Sequence, residues 1–171
     1  KYNLKAHPEG GYYTETYRSN LQIQTTDDNN TNTTTKRCAS TAIYFLLEEG
    51  DISHFHVLNS DETWHHYLGG IIEIIEINLQ GQLIRTLLGK EIQNGQHLQY
   101  TVKKGHIFGS RLYVPPENEK NVPKFAFVGC TVSPGFEFED FYLFRDVEEI
   151  LNKYPSLLQH KQLVTVFTYN K

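Results

Sequence analysis

Apolar and polar residues alternate with a period of two along most of this chain. The alternation predicts strands over residues 11–18, 40–47, 52–58, 62–68, 71–79, 82–88, 97–102, 107–114, 124–132 and 136–145. Turn-forming groups separate them, among them Glu49-Gly50-Asp51, Asn59-Ser60-Asp61, Gln80-Gly81, Asn94-Gly95 and Ser133-Pro134-Gly135. Many short strands at this spacing predict an all-β, antiparallel sandwich or barrel rather than a parallel sheet. The period lengthens only near the C-terminus. Residues 146–154 read as a helix, with Asp146 as N-cap, Glu149 three residues on, an apolar stripe at Val147, Ile150 and Leu151, and Pro155 as the stop. A second short helix over 156–160 and a last strand over 164–168 complete the pattern. The tract 24–35 contains no apolar residue and reads as a polar surface loop inside a single domain spanning 1–171.

Composition narrows the function classes. Lys+Arg 16 against Asp+Glu 20 gives a formal charge of 16 − 20 = −4, so no basic excess is available to neutralise phosphates and a nucleic-acid partner is not expected. The best apolar run, 69–79, is broken by Glu73 and Glu76, which argues against a membrane span. Cys38 and Cys130 are too few for a disulfide framework or a cysteine-rich metal cluster. Residues 1–10 lack an apolar signal-type segment, so a cytoplasmic setting is expected. A small-molecule partner remains.

Four of the eight histidines, His54, His56, His65 and His66, fall close together. Alternation places His54 and His56 on one face of a strand, and Glu62, Trp64 and His66 on one face of the returning strand. Two imidazoles and a carboxylate converging with open positions suit Fe, Mn, Ni or Zn, so His54, His56 and Glu62 are candidate ligands for a divalent transition metal. Without metal, the same groups suit general acid–base work, with His56, Glu62 and His66 as catalytic candidates. His65 and Tyr67 have the opposite parity and read as outer-face residues.

The block His7-Pro-Glu-Gly-Gly-Tyr-Tyr-Thr-Glu-Thr-Tyr-Arg-Ser19 forms a second constellation. Strict alternation puts Tyr13, Glu15 and Tyr17 on one face and Tyr12, Thr14, Thr16 and Arg18 on the other. A carboxylate between two phenols suits a pocket for a polar ring, with Tyr13 as a candidate acid and Glu15 and Tyr17 as binding residues. The alternative is that Glu15 pairs with an arginine across a sheet or dimer interface. Arg111 could meet an anionic group at a barrel mouth, or simply be solvated. Trp64 and Phe108 read as core or as walls for a ligand. Cys130 reads as a buried thiol, and Asp140 as a structural cap or ion-pair partner.

The stretch from His54 to Gly69 resembles the first motif of the cupin superfamily, Gly-x5-His-x-His-x3,4-Glu-x6-Gly. Five residues rather than three or four separate His56 from Glu62, and three rather than five separate Gly50 from His54. More of the chain resembles a small single-domain cupin subgroup of unknown function, through the block from His7 to Ser19, Thr41-Ala-Ile-Tyr-Phe-Leu-Leu47, Ser60-Asp-Glu-x-Trp-His65 and Gly129-Cys-Thr-Val-x-Pro-Gly-Phe-x-Phe-x-Asp-Phe141. The resemblance implies a double-stranded β-helix, or jelly-roll barrel, and a homodimer. The second cupin motif is where the chain departs. Lys103 and Lys104 stand where proline is expected, Phe108 occupies the place of the fourth metal ligand, and His106 is a candidate replacement. Three functions follow. One is an epimerase or isomerase with His56 as base, similar to the sugar-epimerase cupins. The others are a metal-dependent oxygenase or lyase and a non-catalytic small-molecule binder.

Overall fold

Residues 1–26, 34–114 and 123–169 are described by the structure, which is a computed structural model. Two antiparallel sheets face each other. In spatial order the first contains β1 (Lys5–Ala6), β2 (Tyr12–Arg18), β5 (Thr41–Glu48), β12 (Phe125–Ser133), β7 (Asp61–Gly69) and β10 (Gln99–Val102). The second contains β13 (Phe141–Leu143), β6 (Ile52–Leu58), β11 (Ile107–Leu112), β8 (Ile72–Ile77) and β9 (Leu83–Leu88). From β5 to β8, and again from β9 to β13, the chain crosses from one sheet to the other at each step. This is the winding of a jelly-roll barrel, as expected. β3 (Gln22–Thr26) and β4 (Thr34–Cys38) form a separate two-stranded ribbon.

The second sheet is apolar on both faces because both are covered. Ile72 and Ile74 of β8 point into the barrel with Phe45, Trp64 and Phe108, whereas Ile75 and Ile77 point out onto α1 (Val147–Lys153) and α2 (Lys161–Phe167). That double covering is why every residue of β8 is buried, Glu73 and Glu76 included. Among the described residues no helix covers the outer face of the first sheet, where Tyr2, Tyr44, Tyr67 and Phe127 form a connected ring cluster. Tyr67 lies across Gly129, where a Cβ would fall 2.3 Å from the phenol oxygen.

Three sequence expectations need correction. The strand over 164–168 is part of helix α2, because Val164 and Phe167 share a helical face and bury completely against the second sheet. A short apolar run cannot itself distinguish the two periods. The strand over 136–145 is interrupted by a 3-10 turn at Phe138–Asp140 and survives only as β13. The tract 24–35 is partly paired strand at its ends, in β3 and β4, while residues 27–33 of it lie outside the described residues. The helix start is as expected, since Asp146 accepts a hydrogen bond from the Glu148 N–H at 2.9 Å.

Phe167 is fully buried, stacks on Phe55 at 5.2 Å and lies beneath the Arg111 guanidinium. Phe167→Ala is expected to cost about 3–5 kcal/mol through lost contacts and a residual cavity. Urea unfolding should show it as a lower midpoint with an unchanged slope.

Candidate functional site

A cavity of about 280 Å³ lies within the barrel, with His7, Glu9, Tyr13, Glu15, Arg18, His56 and Glu62 among its polar lining. Its apolar walls come from Phe45, Leu58, Phe136, Phe138 and Phe141. The arrangement depends on how Glu9 reaches the interior. His7 and Gly11 close a tight turn, with His7 N–H donating to Gly11 O and Gly10 N–H to His7 O, both at 3.0 Å. Gly10 has φ +116, and a Cβ there would lie 2.0 Å from Ile52 O, so only glycine permits this approach to β6. The turn is tied to β6 by His54, whose backbone N–H and ring Nδ1–H both donate to Glu9 O, at 2.9 and 2.6 Å.

The Glu9 side chain is thereby buried beside a hydroxyl donor and two imidazoles. Its Oε1 accepts from Ser53 Oγ at 2.8 Å, and Oε2 lies 3.2 Å from His7 Nδ1 and 3.4 Å from His56 Nε2. Burial works against the carboxylate, but the two imidazoles and the serine outweigh it and hold Glu9 at a pKa of about 2. His56 Nδ1 donates to His54 O at 2.7 Å, which leaves Nε2 as its basic atom beside Glu9. Burial pushes the His56 pKa below the usual histidine value, with Glu9 opposing.

Glu62 is the opposite case. Burial, reinforced by the nearby Glu9 charge, raises its pKa to about 8, so it is a neutral acid at pH 7. Cys130 and Trp64 lie close enough to favour its ionised form slightly, yet the buried Trp64 Nε1–H meets no acceptor with hydrogen-bond geometry among the described residues. The Cys130 thiol is itself held protonated by burial.

β-Bulges decide which sequence candidates enter this cavity. In β2 the register slips at Thr16, so Glu15 pairs with Ile43 and Tyr17 with Ala42. Arg18 consequently joins Tyr13 and Glu15 at the cavity, while Tyr17 turns outward and is 55% exposed. The expectation that Tyr17 binds ligand is therefore corrected, as is the opposite placement of Arg18. In β6, Ser110 pairs with Ser53 but Phe108 with His56, so Ser53 and His56 share the inner face. His54 is displaced onto a neighbouring recess with Tyr169.

Other candidates lie away from the cavity. His66 sits four residues beyond Glu62 on β7, roughly 13 Å along the strand, where its Nε2 bonds Gly70 O at 2.8 Å. His65 faces outward, with Nε2 3.2 Å from Thr131 Oγ1. Trp64 and Phe108 are core residues behind the polar groups rather than ligand walls, and the Phe108 ring centroid lies 4.1 Å from that of His56. Arg111 has outward parity, bonds Glu73 Oε2 at 2.7 Å and covers Phe167.

Sequence reasoning missed Glu9, a turn residue with no strand period to expose it, and the three phenylalanines of residues 136–141. Their segment is fastened by Arg18, which bonds Phe136 O and Glu137, by Arg37, which bonds both Asp140 oxygens, and by Thr41 Oγ1, which accepts from Phe136 N–H.

The sequence profile described as the cupin superfamily (DUF985) matches residues 1–144. The chain belongs to this cupin family. It is similar in structure to a hypothetical protein from Leishmania major, with 33% identity, a TM-score of 0.82, and coverage of 98% of this chain and 94% of that one. A protein of Shewanella oneidensis is 39% identical, with a TM-score of 0.77 and coverage of 98% and 92%. An uncharacterized protein of Saccharomyces cerevisiae is 27% identical over 87% of this chain and 74% of its own. The metal set that the cupin motif suggests does not fit this cupin. His54 is spent on Glu9 O, Phe108 fills the fourth ligand position, and Glu62 favours its neutral form. Among the described residues no group of three or more His, Cys, Asp or Glu side chains is placed to hold a metal ion.

The Glu62 shift has a stability consequence. The folded protein retains a proton at Glu62 that the unfolded chain releases above its ordinary value of 4.5, so stability falls as pH rises from there through about 8. Glu9 acts in the reverse sense, and its contribution is lost as pH falls from 4.5 through about 2. Glu62→Gln is expected to remove the alkaline decline and raise the melting temperature at pH 8 by several degrees, given about 2–4 °C per kcal/mol for a chain of this size. Calorimetric scans between pH 5 and 9 check this.

Proposed function

We propose that this cupin catalyses proton transfer on a small metabolite in the barrel, as an isomerase or epimerase. The observation that carries the reading is the placement of two unlike acid–base centres in one cavity, the Glu9–His56 pair and Glu62. His56 Nε2 takes a proton from a carbon next to a carbonyl. The C–H electron pair becomes the double bond of an enol as Glu62 gives its proton to the carbonyl oxygen. The imidazolium so formed faces Glu9, which stabilises it. Delivery of the His56 proton to the neighbouring carbon of an enediol, with a hydroxyl proton passing back to Glu62, isomerises the substrate and restores both residues. Donation of the Tyr13 phenol proton to the opposite face of the original carbon, with the enol proton passing back to Glu62, inverts it, and the proton left on His56 then reaches the Tyr13 phenolate through solvent. Neither route needs an oxidant. The two reduced, buried cysteines suit the cytoplasmic setting proposed for the protein, and no helix among the described residues is long and apolar enough to cross a membrane.

Solvent deuterium should be incorporated into an α-hydroxy or α-amino carbonyl compound that binds. The rate should fall above about pH 8 as Glu62 ionises, and His56→Ala should lower it by about 100-fold or more. A bound compound that acquires no deuterium over hours would leave the protein a binding module.

We propose also that a second copy covers the outer face of the first sheet. Among the described residues the centre of that face, around Tyr12, Thr14, Tyr44, Tyr67 and Phe127, carries no charged side chain, so two copies can oppose it without repulsion. Light scattering should give a dimer, and Tyr44→Glu with Tyr67→Glu a monomer with intact circular dichroism. A monomeric wild type at tens of micromolar would contradict this.

A further inference from the structure

The proton-transfer reading leaves the chemical class of the ligand open, and the cavity itself restricts it. Arg18 is the residue at the mouth that an anionic ligand would need. Its five N–H groups are already used. Nε and Nη2 donate to the Glu15 carboxylate, Nη2 also to Phe136 O at 3.2 Å, and Nη1 to Glu137 Oε1 at 2.5 Å and Cys38 Sγ at 3.6 Å. A carboxylate or phosphate entering here would have to displace Glu15 or Glu137. It would also meet Glu9 inside, so Glu9, Glu15 and Glu137 outnumber the one guanidinium among the cavity residues.

The apolar lining points the same way. Phe136, Phe138 and Phe141 stand steeply to one another, with interplanar angles of 82°, 84° and 64° and centroids 5.1, 6.3 and 6.1 Å apart. Rings meeting at such angles form the corner of a box, closed on one side by the His7 imidazole, whose centroid lies 6.5, 6.1 and 5.8 Å from those of Phe136, Phe138 and Phe141, and ring faces attract cations through their quadrupole. Glu62, only 7% exposed, faces the same space and makes no ion pair there among the described residues. Carboxyl oxygens therefore exceed free donors along this lining, which favours a ligand that donates over one that only accepts.

We infer that the cavity binds a small organic cation, an ammonium group on an apolar or aromatic body, with the charge held between the Phe136–Phe138–Phe141 corner and the Glu9 and Glu62 carboxyls. The inference rests on the cavity used for the proton-transfer reading, but binding alone tests it. An ammonium next to a carbonyl would in addition acidify the carbon between them, which joins the two readings chemically.

Three probes of matched shape separate the outcomes: benzylammonium, benzyl alcohol and benzoate, measured by calorimetry at pH 7. Benzylammonium should bind at least tenfold more tightly than benzyl alcohol and weaken with added salt, while benzoate should not bind detectably. Phe138→Ala, at a half-exposed position outside the strand ladders, should weaken benzylammonium more than benzyl alcohol. The surface pair Glu15→Gln with Glu137→Gln removes the two negative charges that offset Arg18 and should reverse the order, admitting benzoate and weakening benzylammonium. Equal binding of benzylammonium and benzyl alcohol, or binding of benzoate to the wild type, overturns the inference whether or not deuterium exchange is seen. Tight benzylammonium binding with no exchange on any bound amine sustains it and removes the proton-transfer reading instead.

Discussion

A carboxylate taken into an aromatic barrel loses its water and must be solvated by protein groups. Left unpaired it would cost several kcal/mol, a large share of what holds a domain of this size together. The solution for Glu9 dictates much of its surroundings. Its backbone must touch β6, which requires a residue without a side chain at position 10. A donor must wait at Ser53, and two imidazoles must face the second oxygen. His54 gives up any role of its own to hold the turn in place. Glu62 is itself cut off from water, and the negative charge fixed nearby adds to the cost of ionising it, so it keeps its proton. Two identical functional groups in one cavity are thus driven to opposite states by what surrounds each of them.

The aromatic side of the cavity is organised by charge rather than by sheet pairing. Residues 135–140 run between β12 and β13 outside the ladders, and two arginines from distant parts of the chain, Arg18 and Arg37, bond to them. Such charge-assisted bonds fix a loop's position more firmly than neutral ones. They let phenylalanines on irregular backbone act as a defined wall. Arg18 thereby links the mouth of the cavity to the aromatic corner, so that its own partners bear on what can enter.

The alternation of residues was enough to read most of the strands, their turns and an antiparallel sandwich or barrel, because burial on one face of each strand enforces a period of two; the jelly-roll winding itself was implied by the family resemblance. It failed where the period is broken. The extra residue at Thr16 moves Arg18 in and Tyr17 out, and the irregularity before His56 exchanges His54 for Ser53. No composition signal marks these sites, since the residues involved, Thr, His and Phe, are ordinary strand residues. Glu9 escaped for another reason: turns have no faces, and its inward direction is set by contacts with a strand more than forty residues later. The helix α2 was mistaken for a strand because only the neighbouring second sheet decides which of two short apolar patterns it follows.

The bulge at Thr16 makes cavity chemistry a matter of counting. Were all seven residues of β2 paired one to one, with no bulge, Tyr17 would come to the mouth and the guanidinium would go to the outer surface, with every letter of the segment unchanged. Relatives that share these side chains but lack the bulge would then present an unlike entrance on the same barrel. Alignment by identity would score such a pair as near neighbours. In this fold a bulge gained or lost within a strand can be a larger chemical event than a substitution inside the pocket.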